Sequence, residues 1–323
     1  MTKQKLLIFH FGALGDVICL FPSLAALKKS CLIHLAAGGK IGRLAGYLGL
    51  AEKYFSIDDL FFLPLFQENP GRAEKLKGFL RNYDAVLFFS FNKEAAEKAA
   101  GVAGIKPFVF SPRPQLKPVA PVFRHLAEQL VQSEFLSSFD APDPEKEKGK
   151  HKEMRNNAEK KVLLHPGSGS PKKNWPLKRF TEAGDILKNN GFSPVYFFGP
   201  AEDQLLHEFM ASVKGGQTYF RSSDLIHLYE AIKNSAGFIG NDSGVSHLAG
   251  YAGVPTVVVF GPSDPRIWKP FGPYVEAIHD DCGKGPCFGS DGINCLKSSC
   301  LHNISSERTV AAYLHIYRYF SVC

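Results

Sequence analysis

Residues 236–262 constrain the fold of this chain more than any other segment. A short apolar run, Ala236 to Ile239, reads as a buried strand. It empties into Asn241-Asp-Ser-Gly244, small polar residues that suit a turn or a helix N-cap. A helix carrying His247 and Leu248 follows, and Pro255-Thr-Val-Val-Val-Phe260 is the next strand. Strand, helix and strand in that order form a βαβ unit, which calls for a parallel sheet. The turn also has chemical meaning. Backbone N–H groups and the helix dipole both point outward at a helix N-terminus, so a phosphate-bearing ligand is expected there, ringed by Asp242, Ser243 and His247.

The alternation recurs upstream. Lys5 to Phe9 reads as a first strand, feeding a Gly12–Asp16 loop and a helix from about Val17 to Lys29. Leu32 to Ala36, Ala85 to Ser90 and a stretch near Val109 read as further strands. From Pro112 to Lys161 the character changes. Four prolines precede a helix near His125 to Phe135, and Ala141-Pro-Asp-Pro-Glu-Lys-Glu-Lys-Gly-Lys150 is charged, with little to bury. The pattern resumes with strands at 161–165, 193–198, 237–240 and 256–260, and it ends in a helix over about Ser306 to Phe320. A length of 323 residues favours two cores over one, because single cores rarely grow past about 250–300 residues. The expected class is therefore α/β, with two Rossmann-like halves.

Four pieces of sequence, in order, resemble glycosyltransferase family 9, the ADP-heptose:lipopolysaccharide heptosyltransferases. They are Gly12-Ala-Leu-Gly-Asp-Val-Ile18 with Phe21-Pro-Ser-Leu24; His165-Pro-Gly-Ser-Gly-Ser170 with Lys173-Asn-Trp-Pro176; Gly199-Pro-Ala-Glu202; and the 239–262 segment. The resemblance implies a GT-B fold, two Rossmann-like domains with parallel sheets facing a central cleft. It places an acceptor-side domain at 1–155, with a linker about 141–160, and a donor domain at 156–305. Residues 306–323 then form a terminal helix packing back on the first domain. The implied activity is inverting transfer of a heptose from ADP-heptose to a lipopolysaccharide inner-core acceptor.

Such a reaction needs a base for the acceptor hydroxyl and a positive field for the departing diphosphate. Asp16 follows a glycine loop at a helix start, where a carboxylate is favoured and where it can equally serve as a cap. The resemblance makes it the base. Lys173 is the candidate for the leaving phosphates, with Lys172 and Lys178 nearby. Ser168 lies in a Gly-Ser-Gly-Ser loop suited to donating to phosphate. Glu202 resembles the family's nucleotide-binding acid, and Asp203 beside it opens a helix over 204–210. Asp242, Ser243, Gly244, Val245 and His247 would line diphosphate and sugar, with Asp242 directed at sugar hydroxyls and His247 at phosphate.

Rival readings follow from the same residues. Gly12-Ala-Leu-Gly15 lacks the G-x-G-x-x-G spacing of a dinucleotide fold, which argues against an NAD-dependent oxidoreductase. A sugar-nucleotide epimerase of the same architecture would share the phosphate pocket without needing Asp16. A non-catalytic nucleotide-sugar-binding GT-B protein would retain donor binding alone. Cys282, Cys287, Cys295 and Cys300, spaced C-x4-C-x7-C-x4-C, suit a structural zinc or iron, or else thiols without metal; the x4 gaps are looser than the usual x2. No cofactor is expected for the chemistry itself.

A net charge of +7 is compatible with plain solubility and with attraction to an anionic inner membrane or phosphorylated glycolipid. No aromatic–basic module for nucleic acid is present. Lys3 and Lys5 precede an apolar run, but Gly12, Gly15 and Asp16 interrupt it, so a first strand is the better reading than a signal peptide. The expected location is cytoplasmic, or peripheral on the inner membrane.

Overall fold

The computed structural model describes residues 3–115, 119–140, 160–213, 215–280 and 299–322. The chain divides into two compact units, Met1–Asp140 and Ala141–Cys323. The linker expected at about 141–160 lies almost wholly outside the described residues.

The first unit runs β1 (Gln4–His10), α1 (Leu14–Leu27), β2 (Cys31–Ala37), α2 (Gly39–Tyr47), β3 (Lys53–Ser56), α3 (Pro70–Leu80), β4 (Ala85–Phe89), α4 (Glu94–Ala103), β5 (Phe108–Phe110) and α5 (Val122–Gln132). Its sheet is wholly parallel, in the order β3-β2-β1-β4-β5. The three central strands are buried on both faces, which is why they read as unbroken apolar runs. One face packs Leu7, Phe9 and Phe88 against Leu76 and Leu80 of α3 and the alanine stripe Ala95, Ala96, Ala99 and Ala103 of α4. Helix α1 begins three residues before the sequence suggests, because Asp16 lies within its first turn rather than ahead of it.

The second unit runs β6 (Lys161–His165), α6 (Leu177–Asn189), β7 (Ser193–Phe198), α7 (Asp203–Ser212), β8 (Thr218–Arg221), α8 (Leu225–Lys233), β9 (Gly237–Asn241), α9 (Gly244–Ala252), β10 (Thr256–Phe260), α10 (Pro265–Trp268), β11 (Val275–His279), α11 (Ser299–Asn303) and α12 (Ser306–Val322). Its parallel sheet has the order β8-β7-β6-β9-β10-β11, the doubly wound dinucleotide-fold order. Alternate residues serve opposite faces. Val257 and Val259 join the large core with Trp175, Phe180 and Tyr313, while Val258 and Phe260 pack with Val275 on the other side. Helix α12 packs on α6, β10 and β11 within this unit. Its Tyr313 hydroxyl donates to the Ala236 carbonyl at 3.0 Å. Among the described residues no helix is long and apolar enough to cross a membrane.

Candidate functional site

In each unit the first strand lies where the strand order reverses, and in open parallel sheets ligands bind at that point, beyond the carboxyl ends of the strands. In the second unit these ends are His165 of β6, Phe198 of β7 and Asn241 of β9, and the sequence motifs follow each of them.

Asn241 ties the loop after β6 to the end of β9. Its side chain is fully buried. Oδ1 accepts the Trp175 N–H at 2.9 Å, and Nδ2 donates to the carbonyls of Pro166 at 2.7 Å and Gly167 at 3.3 Å. One amide thus fixes both ends of the loop between β6 and α6, the loop that carries Lys173. Trp175 adds a second anchor, donating its indole N–H to the Ile304 carbonyl at 3.0 Å. Within the loop, Ser168 Oγ lies 2.6 Å from Asn174 Oδ1 and 2.7 Å from the Ser170 carbonyl, and accepts the Ser170 N–H at 3.2 Å. The Ser168 hydroxyl is therefore built into the loop, which leaves donation to a phosphate to backbone groups.

Lys173, so fixed, extends Nζ to Asp242 Oδ2 at 2.7 Å. The Asp242 side chain is 4% exposed and that of Lys173 is 17% exposed, so the pair is partly withdrawn from water. The residues expected to meet phosphate and sugar separately are brought together here as an ion pair. Asn241-Asp-Ser behaves as the turn its composition suggests, with Ser243 as the N-cap of α9 and its Oγ accepting the Ser246 N–H at 3.3 Å. Gly244 and Val245 occupy the first turn, partly exposed, where helix N–H groups lack intrahelical acceptors. His247 is buried on α9. Burial pushes its imidazole down to about 4, with the Asp242 carboxylate opposing that shift and Lys173 adding to it. It is a neutral ring at physiological pH.

Glu202, on the 3-10 turn Pro200–Glu202 after β7, faces inward. Its Oε2 accepts the Gly199 N–H at 2.6 Å, and both carboxylate oxygens lie within 3.0 and 3.2 Å of His165 Nε2. Burial raises its pKa, but the His165 and Gly199 bonds outweigh that and hold the carboxyl below its ordinary range. Gly167 leaves room for it: a Cβ there would lie 1.8 Å from Glu202 Oε1. His165 Nδ1 is buried with no hydrogen-bond partner among the described residues.

In the first unit, Asp16 is the third residue of α1, and its Oδ2 accepts the Ala13 N–H at 3.0 Å, so the capping role is present. The preceding amide, Gly12 N–H, donates to His10 Nδ1 at 3.0 Å. A Cβ on Gly12 would lie 2.6 Å from Asp16 Cβ and 2.7 Å from His10 Cε1, so only glycine lets the loop pass between them. His10 is fully buried, and burial pushes it down to about 4. Sequence reasoning did not single out His10, Asn241 or the His165–Glu202 pair. The available signal was a polar residue closing an otherwise apolar strand.

Of the four clustered cysteines, Cys282, Cys287 and Cys295 lie outside the described residues. Cys300 is buried on α11 in the same apolar cluster as Leu301 and Ile304. Among the described residues no group of three or more His, Cys, Asp or Glu is placed to hold a metal.

Residues 113–296 match the profile of glycosyltransferase family 9 (heptosyltransferase). The chain is 23% identical over 256 residues to lipooligosaccharide heptosyltransferase 2 of Haemophilus influenzae, an alignment covering 75% of this chain and 60% of that protein. The chain thus spans less than two-thirds of the length of that relative. Its fold is similar to a family 9 glycosyl transferase from Veillonella parvula, with a TM-score of 0.74 at 17% identity, covering 98% of each chain. It is also similar to the Escherichia coli ADP-heptose lps heptosyltransferase II, with a TM-score of 0.71 at 17% identity over 98% of this chain and 99% of the other. These similarities place the two parallel-sheet units in the GT-B class.

Proposed function

Since the chain belongs to glycosyltransferase family 9, we propose that it transfers a heptose with inversion from ADP-heptose to a lipopolysaccharide inner-core acceptor, working at the cytoplasmic face of the inner membrane. The observation that carries this reading is that Asn241 clamps both ends of the single 166–176 loop, which carries Lys173 and the 166–170 turn and is joined by Lys173 to Asp242 just ahead of α9. That arrangement suits a leaving diphosphate.

In this reading the Asp16 carboxylate takes the proton of the acceptor hydroxyl. The resulting oxygen attacks the anomeric carbon, the glycosidic C–O bond breaks, and ADP departs with the bonding electrons. Lys173 neutralises the charge that grows on the phosphate, aimed by Asp242, whose remaining acceptor positions suit sugar hydroxyls. The first turn of α9, with Ser243, Gly244 and Val245, supplies backbone donors, as does the Ser168 loop. Neutral His247 contributes a donor rather than a charge. The nucleotide ribose is assigned to Glu202, whose carboxylate His165 and Gly199 already orient.

Isothermal titration with ADP-heptose, ADP, UDP and NAD tests the donor, repeated on Lys173→Met, and transfer is assayed on Asp16→Asn. The expected result is binding of ADP ligands that weakens in Lys173→Met, and loss of transfer with donor binding retained in Asp16→Asn. Binding of UDP alone would replace this reading with the sugar-nucleotide epimerase. Donor binding with no transfer in the wild type would leave a non-catalytic binding protein.

A further inference from the structure

His10 closes β1, the central strand of the first sheet, and the chain leaves it for the loop that leads to Asp16. Its side chain is fully buried. The imidazole lies nearly parallel to the ring of Phe89, its register partner on β4, with centroids 5.8 Å apart and planes inclined by 18°. An apolar ring would fill this place at less cost, because a buried polar group gives up its water. Nε2 is buried with no partner among the described residues, which adds to that cost. A residue so placed against the interest of the core belongs, as a rule, to a functional site.

Its use is visible two residues on. Nδ1 accepts the Gly12 N–H at 3.0 Å, so the proton of the neutral ring sits on Nε2. The next amide, Ala13 N–H, donates to Asp16 Oδ2 at 3.0 Å. Two successive amides thus link a buried ring, fixed against β4, to the carboxylate assigned as the base. Gly12 transmits the contact without slack: a Cβ there would lie 2.7 Å from His10 Cε1 and 3.0 Å from Asp16 Oδ2. Burial pushes the imidazole down to about 4, so near neutral pH it adds no charge beside the carboxylate.

We propose that His10 is the positioning residue for the base: its Nδ1 anchors the Gly12 amide and, through Ala13, sets where the Asp16 carboxylate meets the acceptor hydroxyl. This deepens the transferase reading and rests on it. Lysine and arginine could not take the place, since neither has an acceptor. Asparagine could, because its Oδ1 stands two bonds from Cβ, as Nδ1 does.

The test is a pair of variants that separates position from packing. His10→Phe keeps a buried ring against Phe89 and removes the acceptor; His10→Asn keeps the acceptor and gives up the ring. Thermal unfolding of the full chain, followed by circular dichroism, should show His10→Phe to be the more stable of the two. Transfer from ADP-heptose to heptose-deficient lipopolysaccharide should rank them the other way. His10→Phe should lose about ten- to a hundredfold in kcat, with the KM for ADP-heptose within about twofold of wild type, and His10→Asn should recover most of that loss. Amide exchange by NMR should be faster at Gly12 and Ala13 in His10→Phe and slow in wild type and His10→Asn. Activity that follows stability, kcat and KM that move together, or Gly12 exchange indifferent to both variants would overturn the proposal. ADP binding with no transfer by the wild type would sink the transferase reading instead. The anchoring of the loop is then decided by amide exchange, which needs no turnover: acceleration in His10→Phe alone sustains it, and equal exchange in all three proteins removes it.

Discussion

Replacing Asn241 by alanine removes a side chain that touches no assigned ligand group, yet it should both destabilise the second unit and weaken its site. The loss can be counted from the three bonds. The Trp175 N–H, bonded at 2.9 Å, and the Pro166 carbonyl, bonded at 2.7 Å, are left buried without these partners. The bond to Gly167 at 3.3 Å is weaker. A buried orphan of this kind costs about 1–3 kcal/mol, so two of them give a loss of about 2–6 kcal/mol. Asn241→Asp keeps the acceptor for Trp175 but removes the donor and sets a carboxylate against two carbonyl oxygens, so it should be no milder. Guanidinium unfolding followed by tryptophan fluorescence is the assay. The chain has two tryptophans, Trp175 and Trp268, and both lie in the second unit, so the signal reports that unit. The midpoint should fall at unchanged slope. ADP affinity should fall with it, because the two ends of the 166–176 loop, which carries Lys173, lose their common tether. A loss under about 1 kcal/mol, half the low end worked out above, together with unchanged ADP affinity would refute the claim that this amide holds both ends of the 166–176 loop.

Three other outcomes follow from the same geometry. Lys173→Met leaves the 4%-exposed Asp242 carboxylate without its cation and should cost about 2–3 kcal/mol, somewhat below the usual range for fully buried pairs because Lys173 is partly exposed; adding Asp242→Asn should recover part of the loss in a double-mutant cycle. Gly167→Ala places a methyl group 1.8 Å from Glu202 Oε1 and should destabilise by about 1–3 kcal/mol, with the effect reduced in a Glu202→Ala background, as denaturant titration of the four proteins would show. His10 and His247 both titrate near 4 when folded and at 6.5 when unfolded, so the unfolded chain takes up the proton first as pH falls. Stability is therefore complete above about pH 6.5 and declines towards pH 4 by on the order of 3 kcal/mol per histidine, and His247→Asn should flatten that decline in the tryptophan-monitored unit.

How far the chain declares itself depends on where its information lies. β1, β6, β9 and β10 are buried on both faces, so their residues form continuous apolar runs that can be read directly. β3, β8 and β11 are not identified by sequence reasoning. Each is an edge strand with one neighbour, and Lys53-Tyr-Phe-Ser56 or Thr218-Tyr-Phe-Arg221 has too little buried surface to show a pattern. The loops of the site are legible for the opposite reason, since glycine, serine, asparagine and aspartate accumulate where the backbone must turn and a helix must be capped.

What is not legible is which polar group chooses which partner. Lys173 and Asp242 are 69 residues apart, Trp175 and Asn241 66, and His165 and Glu202 37. No local pattern encodes those distances, because they arise only when parallel strands bring successive loops to one edge. The consequence is a change of roles. Read singly, Lys173 is a phosphate ligand and Asp242 a sugar ligand. Read as a pair at 2.7 Å, Asp242 is first the group that aims Lys173. A lysine on a flexible stem gains little specificity until something orders it. Here the ordering comes from Asp242 at its tip and, through Trp175, from Asn241 at its base. Two adjacent residues of one turn therefore govern the cation at both ends, and a substitution at either should reach the donor through Lys173, at Asn241 by that route alone and at Asp242 in addition to the sugar contact proposed for it.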